Sequence, residues 1–203
     1  MAHRTVDGLV VPRAVSGHPA LELCNTRAGY DGAAAREYLQ SYGHLSAVAR
    51  ANGLLTVRRS QELRALAAEQ PDAAERVLRR SVRFRDDLYA VLTEAADPQQ
   101  VTRLAGRLRQ TAGSRRLLGV SRGRATWSPG SQPLAEPLDA FAWQAQLLLQ
   151  DASALGQLGR CPGHDCGWLF LDPLGRRRWC IMAICGNREK ARRHAERTRS
   201  ADR

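Results

Sequence analysis

Lysine is almost missing from this chain of 203 residues: Lys190 stands alone, and arginine supplies nearly all of the 31 basic side chains. Aromatic residues are scarce at 5% and methionine occurs twice. No apolar run is long enough to span a bilayer, because Gln and Asp interrupt the longest one, which excludes a membrane-spanning helix. The first residues, Met-Ala-His-Arg-Thr-Val-Asp, lack the basic-then-apolar pattern of a secretory leader, so the expected location is the cytoplasm. Internal repeats and low-complexity tracts are absent. So are a Ser-His-Asp order, a phosphate-cradling glycine loop and paired carboxylates suited to acid–base work, and the expectation is a protein that is not an enzyme.

What is present is positive charge. The net charge is +11 with a pI near 10.6, which attracts polyanions through long-range Coulomb steering. Arg- and Ala-rich composition also fits a GC-rich bacterial genome. The length allows one or two domains.

Helical signals run from about residue 31 to 112. Asp31 is placed to cap a first helix through Leu39, Tyr42, Leu45 and Val48, ending at Asn52-Gly53. Thr56 caps a second with Leu63 and Leu66. Pro71 opens a third, since the first helical position needs no amide hydrogen. It carries Val77, Phe84, Leu88 and Val91 at near-3.6 spacing. Asp97-Pro98 repeats the start signal for a helix with Val101, Leu104 and Leu108, closed at Gly113. The period then changes. Arg116–Val120 and Arg124–Trp127 flank Ser-Arg-Gly and read as a short hairpin. After a Pro-rich loop, Pro137 opens a helix to about Leu155 that is apolar on nearly every side. It reads as a buried core helix, with a dimer interface as the alternative. The division expected is a helical domain over 1–156 and a C-terminal module over 157–203.

Five cysteines occur. Cys24 lies in an apolar run and reads as a small core residue. The other four form two Cys-x4-Cys pairs, Cys161/Cys166 and Cys180/Cys185, thirteen residues apart. Clustered cysteines in a reducing compartment point to metal, and four thiolates suit a closed tetrahedral Zn2+ shell of the structural kind. His164, inside the first knuckle, is not needed as a ligand. Pro162-Gly163 supplies a turn, and Gly186 is expected to let the backbone pass close to the last sulfur with an unusual dihedral. Between the pairs, Trp168–Leu171 and Arg176–Trp179 read as two strands of a hairpin turning at Asp172–Gly175. Trp168, Phe170 and Trp179 would form a miniature core. Knuckle, hairpin and helix make a treble-clef-like finger. The fold class expected is therefore mainly α: a helical N-terminal domain with a small β-hairpin, plus that finger. So small a module needs the binding free energy of its metal to fold.

Asn187 to Arg199 has high helix propensity and no large apolar side chain, so it is either solvated or docked on something polar. Only Ala191 and Ala195 offer an apolar contact. Its cations Arg188, Lys190, Arg192, Arg193 and Arg197, with Arg176, Arg177 and Arg178 upstream, are candidates for contacts to double-stranded DNA, since arginine neutralises phosphates and bonds guanine edges.

The string Cys166-Gly-Trp-Leu-Phe-Leu-Asp172, followed by Arg177-Arg-Trp-Cys180 and Cys185-Gly186-Asn187-Arg188, resembles the CGNR zinc finger family of bacterial proteins over about forty residues. Leu21-Glu-Leu-Cys-Asn-Thr26 resembles the ABATE domain, a stress-induced transcription regulator domain that accompanies this finger. Ile181, His164 and a short turn at Pro173–Gly175 depart from the family pattern without removing a ligand. The resemblance implies a DNA-binding transcription regulator with zinc on the four cysteines. On this reading the N-terminal domain senses a small-molecule effector or forms a homodimer, and Asn25 and Thr26 line a pocket or serve as a cap or turn. The alternative is a zinc-finger module that binds protein or RNA without reading DNA sequence.

Overall fold

In the computed structural model of the chain, residues 2–30, 35–128 and 132–201 are described. Two short antiparallel strand pairs flank the first helix. Strands β1 (His3–Val6) and β2 (Leu9–Pro12) pair antiparallel with His3 opposite Pro12. Helix α1 (Pro19–Cys24) starts at a proline, and the His18 side chain accepts from the Ala20 amide. Strands β3 (Arg27–Ala28) and β4 (Arg36–Glu37) follow.

The first predicted helix starts later than expected. Helix α2 (Tyr42–Ala51) is capped by Ser41, whose side chain accepts from the His44 amide. Residues 36–37 are strand, and the Asp31 cap lies outside the described residues. A hydroxyl cap next to Tyr42 fixes the start better than the long apolar spacing that includes Leu39. Helix α3 (Val57–Glu69) is capped by Thr56 as its sequence signals. Helices α4 (Pro71–Leu92) and α5 (Pro98–Ser114) both begin at proline, and Asp97 with Gln100 forms a reciprocal capping box. Gly113 falls inside the last turn of α5, which runs one residue further than expected. Strands β5 (Leu117–Ser121) and β6 (Arg124–Trp127) make the predicted hairpin.

Helix α6 (Glu136–Gln150) is central. It packs on α1, α2, α4 and α5, and Leu138, Phe141, Ala142, Ala145 and Leu148 are sealed from solvent. Its apolar circumference is not buried throughout: Leu147 is 43% exposed. Asp151 ends α6 and caps the short α7 (Ala152–Gly156), so the expected single helix is two. Cys24 is fully buried, and burial pushes its thiol up to about 12, which makes it an inert core residue.

The C-terminal hairpin differs from expectation. Strand β8 (Leu169–Leu171) pairs antiparallel with β7 (Leu158–Arg160), a strand upstream of the cysteines, and not with Arg176–Trp179. The latter stretch is irregular because the Asp172 carboxylate accepts the Arg177 amide at 2.6 Å and folds it into a tight loop. A π-helical turn over Met182–Gly186 then runs into α8 (Asn187–Ala201). No helix among the described residues is long and apolar enough to cross a membrane.

Candidate metal centre and basic helix

The β7–β8 hairpin presents the first cysteine pair. The Cys161 amide donates to the Trp168 carbonyl at 2.8 Å, carrying the ladder into the knuckle, and the Cys166 amide closes the turn on Gly163 O at 3.0 Å. A side chain at Gly163 would sit 3.2 Å from Cys185 Cβ and 3.4 Å from its sulfur, so glycine keeps the knuckle open to the second pair. The second pair is placed by the π-helical turn, where the Cys185 amide donates to Ile181 O at 2.8 Å. Gly186 does not take the left-handed dihedral expected of it. A Cβ there would fall 2.3 Å from the sulfur of Met182, so that half-exposed, flexible side chain would have to move aside.

These turns gather four buried sulfurs, all within 4.8 Å of one another. Two of the separations, Cys166–Cys180 and Cys180–Cys185, are 3.6 Å. Tetrahedral Zn2+ with Zn–S bonds of about 2.3 Å needs sulfur–sulfur edges of about 3.8 Å. The set therefore fits the ion in donor chemistry and in size. Hydrogen bonds from the neighbouring thiols pull the Cys161 proton off readily, while those same neighbours push Cys180 far up. Thiols this crowded cannot all ionise unless a cation offsets the charge. His164 is exposed and paired with Asp165 at 2.7 Å.

The jacket around the sulfurs is apolar, with Trp168 and Phe170 buried and Trp179 partly covered. Tyr38, from the N-terminal part of the chain, completes it, and nothing in the cysteine spacing signals that contribution. The seam is closed by polar bonds too. The buried Asn25 side chain mimics a strand partner: its Nδ2 donates to Leu169 O at 2.9 Å and its Oδ1 accepts the Leu169 amide at 2.8 Å. Thr26 Oγ1 donates to Leu23 O at 2.6 Å. Both residues are caps and bridges at the end of α1. Tyr89 on α4 donates to Gly167 O at 2.8 Å and stacks on Tyr30 with ring centroids 3.5 Å apart.

The basic side chains divide into two groups. Arg177 is part-buried: its guanidinium donates to the carbonyls of Leu171, Val15 and Cys180 and lies 4.4 Å over the Phe170 ring. Arg176 and Arg178 are exposed, Arg178 resting on the Trp179 ring. On α8, Arg188 reaches the His164 carbonyl at 3.4 Å, while Lys190 and Arg197 are exposed. Arg192 pairs with Glu189 and Glu196, and Arg193 with Glu189. The Arg192 and Arg193 guanidiniums hold the Glu189 carboxyl down to about 2. Ala191 and Ala195 are exposed, so they make no packing face for α8.

Comparison with known families bears on both halves. The model described as "CGNR zinc finger" matches residues 157–198. The model described as "Putative stress-induced transcription regulator", ABATE, matches residues 17–160, well over half of the chain. The chain belongs to the ABATE family. Its C-terminal segment is a CGNR zinc finger whose four buried cysteines can hold a zinc ion. Neither family is described as enzymatic. No curated protein matches the chain. In this ABATE protein the two matched segments meet at Leu158–Arg160, the strand that starts the finger hairpin.

Proposed function

We propose that this ABATE protein is a zinc-containing, DNA-binding transcription regulator. Cys161, Cys166, Cys180 and Cys185 are the ligands of a structural Zn2+. When bound, the ion supplies the cross-link that fixes the knuckle to the base of α8. Four thiolates fill a tetrahedral shell and leave no open position for a substrate or water. The observation that carries the reading is the arrangement at the end of the chain: a helix with every residue from Ala191 to Arg199 exposed, packed on the metal turn that precedes it, with cations outnumbering carboxylates.

Lys190, Arg193 and Arg197 are spaced i, i+3, i+7 and share one stripe of α8. With Arg176, Arg178 and Arg188 they are the phosphate and groove contacts. Arg192, shared with two carboxylates, and Arg193, shared with one, contribute less than the unpaired cations. Arg177 acts as a strut that orients the loop between the cysteine pairs, because three carbonyls already use its donors. The domain over 1–156 senses an effector or dimerises, and the module over 157–203 binds DNA.

Fluorescence anisotropy over a salt series tests this, using duplex DNA from the region upstream of the protein's own gene and a scrambled duplex. Tighter binding to the native duplex, abolished in Cys180→Ser, is expected. Replacing Lys190 and Arg197 by Gln should flatten the salt dependence by about 0.9 log units for each phosphate the variant no longer neutralises. Equal, weak binding to both duplexes defeats sequence-specific recognition and leaves an interaction module for RNA or an acidic protein partner.

A further inference from the structure

A second concentration of positive charge lies far along the sequence from the finger, in a cleft of about 230 Å³ between α4 and α5. Arg80 and Arg83 from α4 and Arg103 and Arg107 from α5 line it, over a floor that includes the buried Phe84 and Leu138. Two carboxylates offset part of the charge. Arg103 makes a two-pronged contact to Asp87, at 2.7 and 3.0 Å. Arg107 pairs with Asp139, whose carboxylate also accepts from Thr111. Arg80 and Arg83 are exposed and make no ion pair among the described residues. Arg107 Nε is buried without a hydrogen-bond partner. Burial holds the Arg107 guanidinium below its ordinary value, and the nearby Arg80 charge works in the same direction.

Four guanidiniums against two carboxylates leave an excess of two positive charges. Arg107 is committed to Asp139 and, through its other terminal nitrogen, to Gln110 at 3.2 Å, so it adds charge to the cleft, while the two uncommitted forks of Arg80 and Arg83 are what a tetrahedral dianion satisfies, since guanidinium binds phosphate oxygens in pairs. The apolar floor gives an organic substituent a place to sit. We propose that the α4–α5 cleft binds a small organic phosphate monoester, its phosphate held by Arg80 and Arg83 in the field of Arg107 and its carbon part laid toward Phe84 and Leu138. The site stands on its own geometry. Its role as the effector site rests on the regulatory reading above.

Isothermal titration calorimetry of the full-length, zinc-loaded protein at fixed ionic strength tests it, with phenyl phosphate, inorganic phosphate and phenol as probes. Phenyl phosphate is expected to bind, inorganic phosphate more weakly, and phenol not at all. Arg80→Gln and Arg83→Gln, both exposed and structurally uncommitted, should each weaken phenyl phosphate about tenfold, the scale of one charge-assisted hydrogen bond. Unchanged binding in both variants overturns the site. Equal affinity for inorganic phosphate overturns the ester. Weakened duplex DNA affinity in the two variants, with no heat from phenyl phosphate, overturns it in favour of a second DNA contact. Cys180→Ser separates this proposal from the DNA reading, because it should abolish duplex binding while leaving phenyl phosphate binding intact.

Discussion

The two parts of the chain are held together by different physics. The helical body around α6 rests on apolar burial: Phe141, Leu138 and Leu148 are sealed by four surrounding helices. The finger has one strand pair, one π-helical turn and a helix with no large apolar side chain. It borrows Tyr38 for its core and Asn25 for its backbone pairing. A body that buries enough surface is stable through its contacts, whereas a module that cannot needs a cross-link and a neighbour. Each half is therefore expected to fail in its own way.

The largest effect is expected from removing the metal. Structural zinc contributes on the order of 10 kcal/mol to small modules. Chelation, or Cys180→Ser, should release the ion, lower far-UV helical signal by about the share of α8, and leave the α1–α6 body folded. A colorimetric zinc assay beside circular dichroism reads both. A single cooperative collapse of the whole chain on chelation would show that the body, too, depends on the ion. The converse test is Phe141→Ala, expected to cost about 3–5 kcal/mol by opening a cavity in the body. Its midpoint in urea should fall while zinc content stays at one per chain. Release of zinc from this variant under native conditions would mean the finger has no integrity apart from the body.

A smaller effect is expected at the seam. Asn25→Ala leaves the Leu169 amide and carbonyl buried without partners, a destabilisation of about 2–4 kcal/mol. Both the urea midpoint and the rate of zinc release should respond, because Leu169 lies in the main core while its neighbour Phe170 jackets the sulfurs. A shift in one readout only would mean that Asn25 belongs to that half alone.

How far these features can be read from the amino acids follows the same division. Local signals are visible: Thr56, Pro71 and Asp97-Pro98 mark helix starts because capping and proline act within four residues, and the Cys-x4-Cys spacing marks the four sulfurs as one set because ligand geometry is short-range. The β7–β8 pairing is hidden. Leu-Gly-Arg at 158–160 carries no strand signal of its own, and its partner strand is bonded in turn by Asn25, more than a hundred residues upstream. The Arg176–Arg178 run looks uniform in sequence. Its middle member is drawn inward by the carbonyls of Val15, Leu171 and Cys180, contacts that no charge count contains. The arginine cleft is hidden for the same reason, since Arg80 and Arg107 sit on different helices.

The smallest expected effect bears on how free the basic helix is. Glu189 ties Arg192 and Arg193 on one side of α8. Its carboxyl is held down to about 2, below the value of an unfolded glutamate near 4.3. A depressed folded value means the pairs stabilise the helix above the unfolded value and are lost only as pH falls through the folded one. Between pH 5 and 8 Glu189 therefore stays ionised, and these pairs contribute no pH dependence to DNA binding. Glu189→Gln removes the charge directly. Arg193 would then be available to phosphate and Arg192 left with Glu196 alone, so duplex affinity should rise about two- to fivefold at low salt and the salt slope should steepen by up to about 0.9 per released guanidinium. Anisotropy at two salt concentrations measures both. A fall in affinity would mean that the ion pairs keep α8 helical, and that its order, more than its free charge, is what the DNA reads.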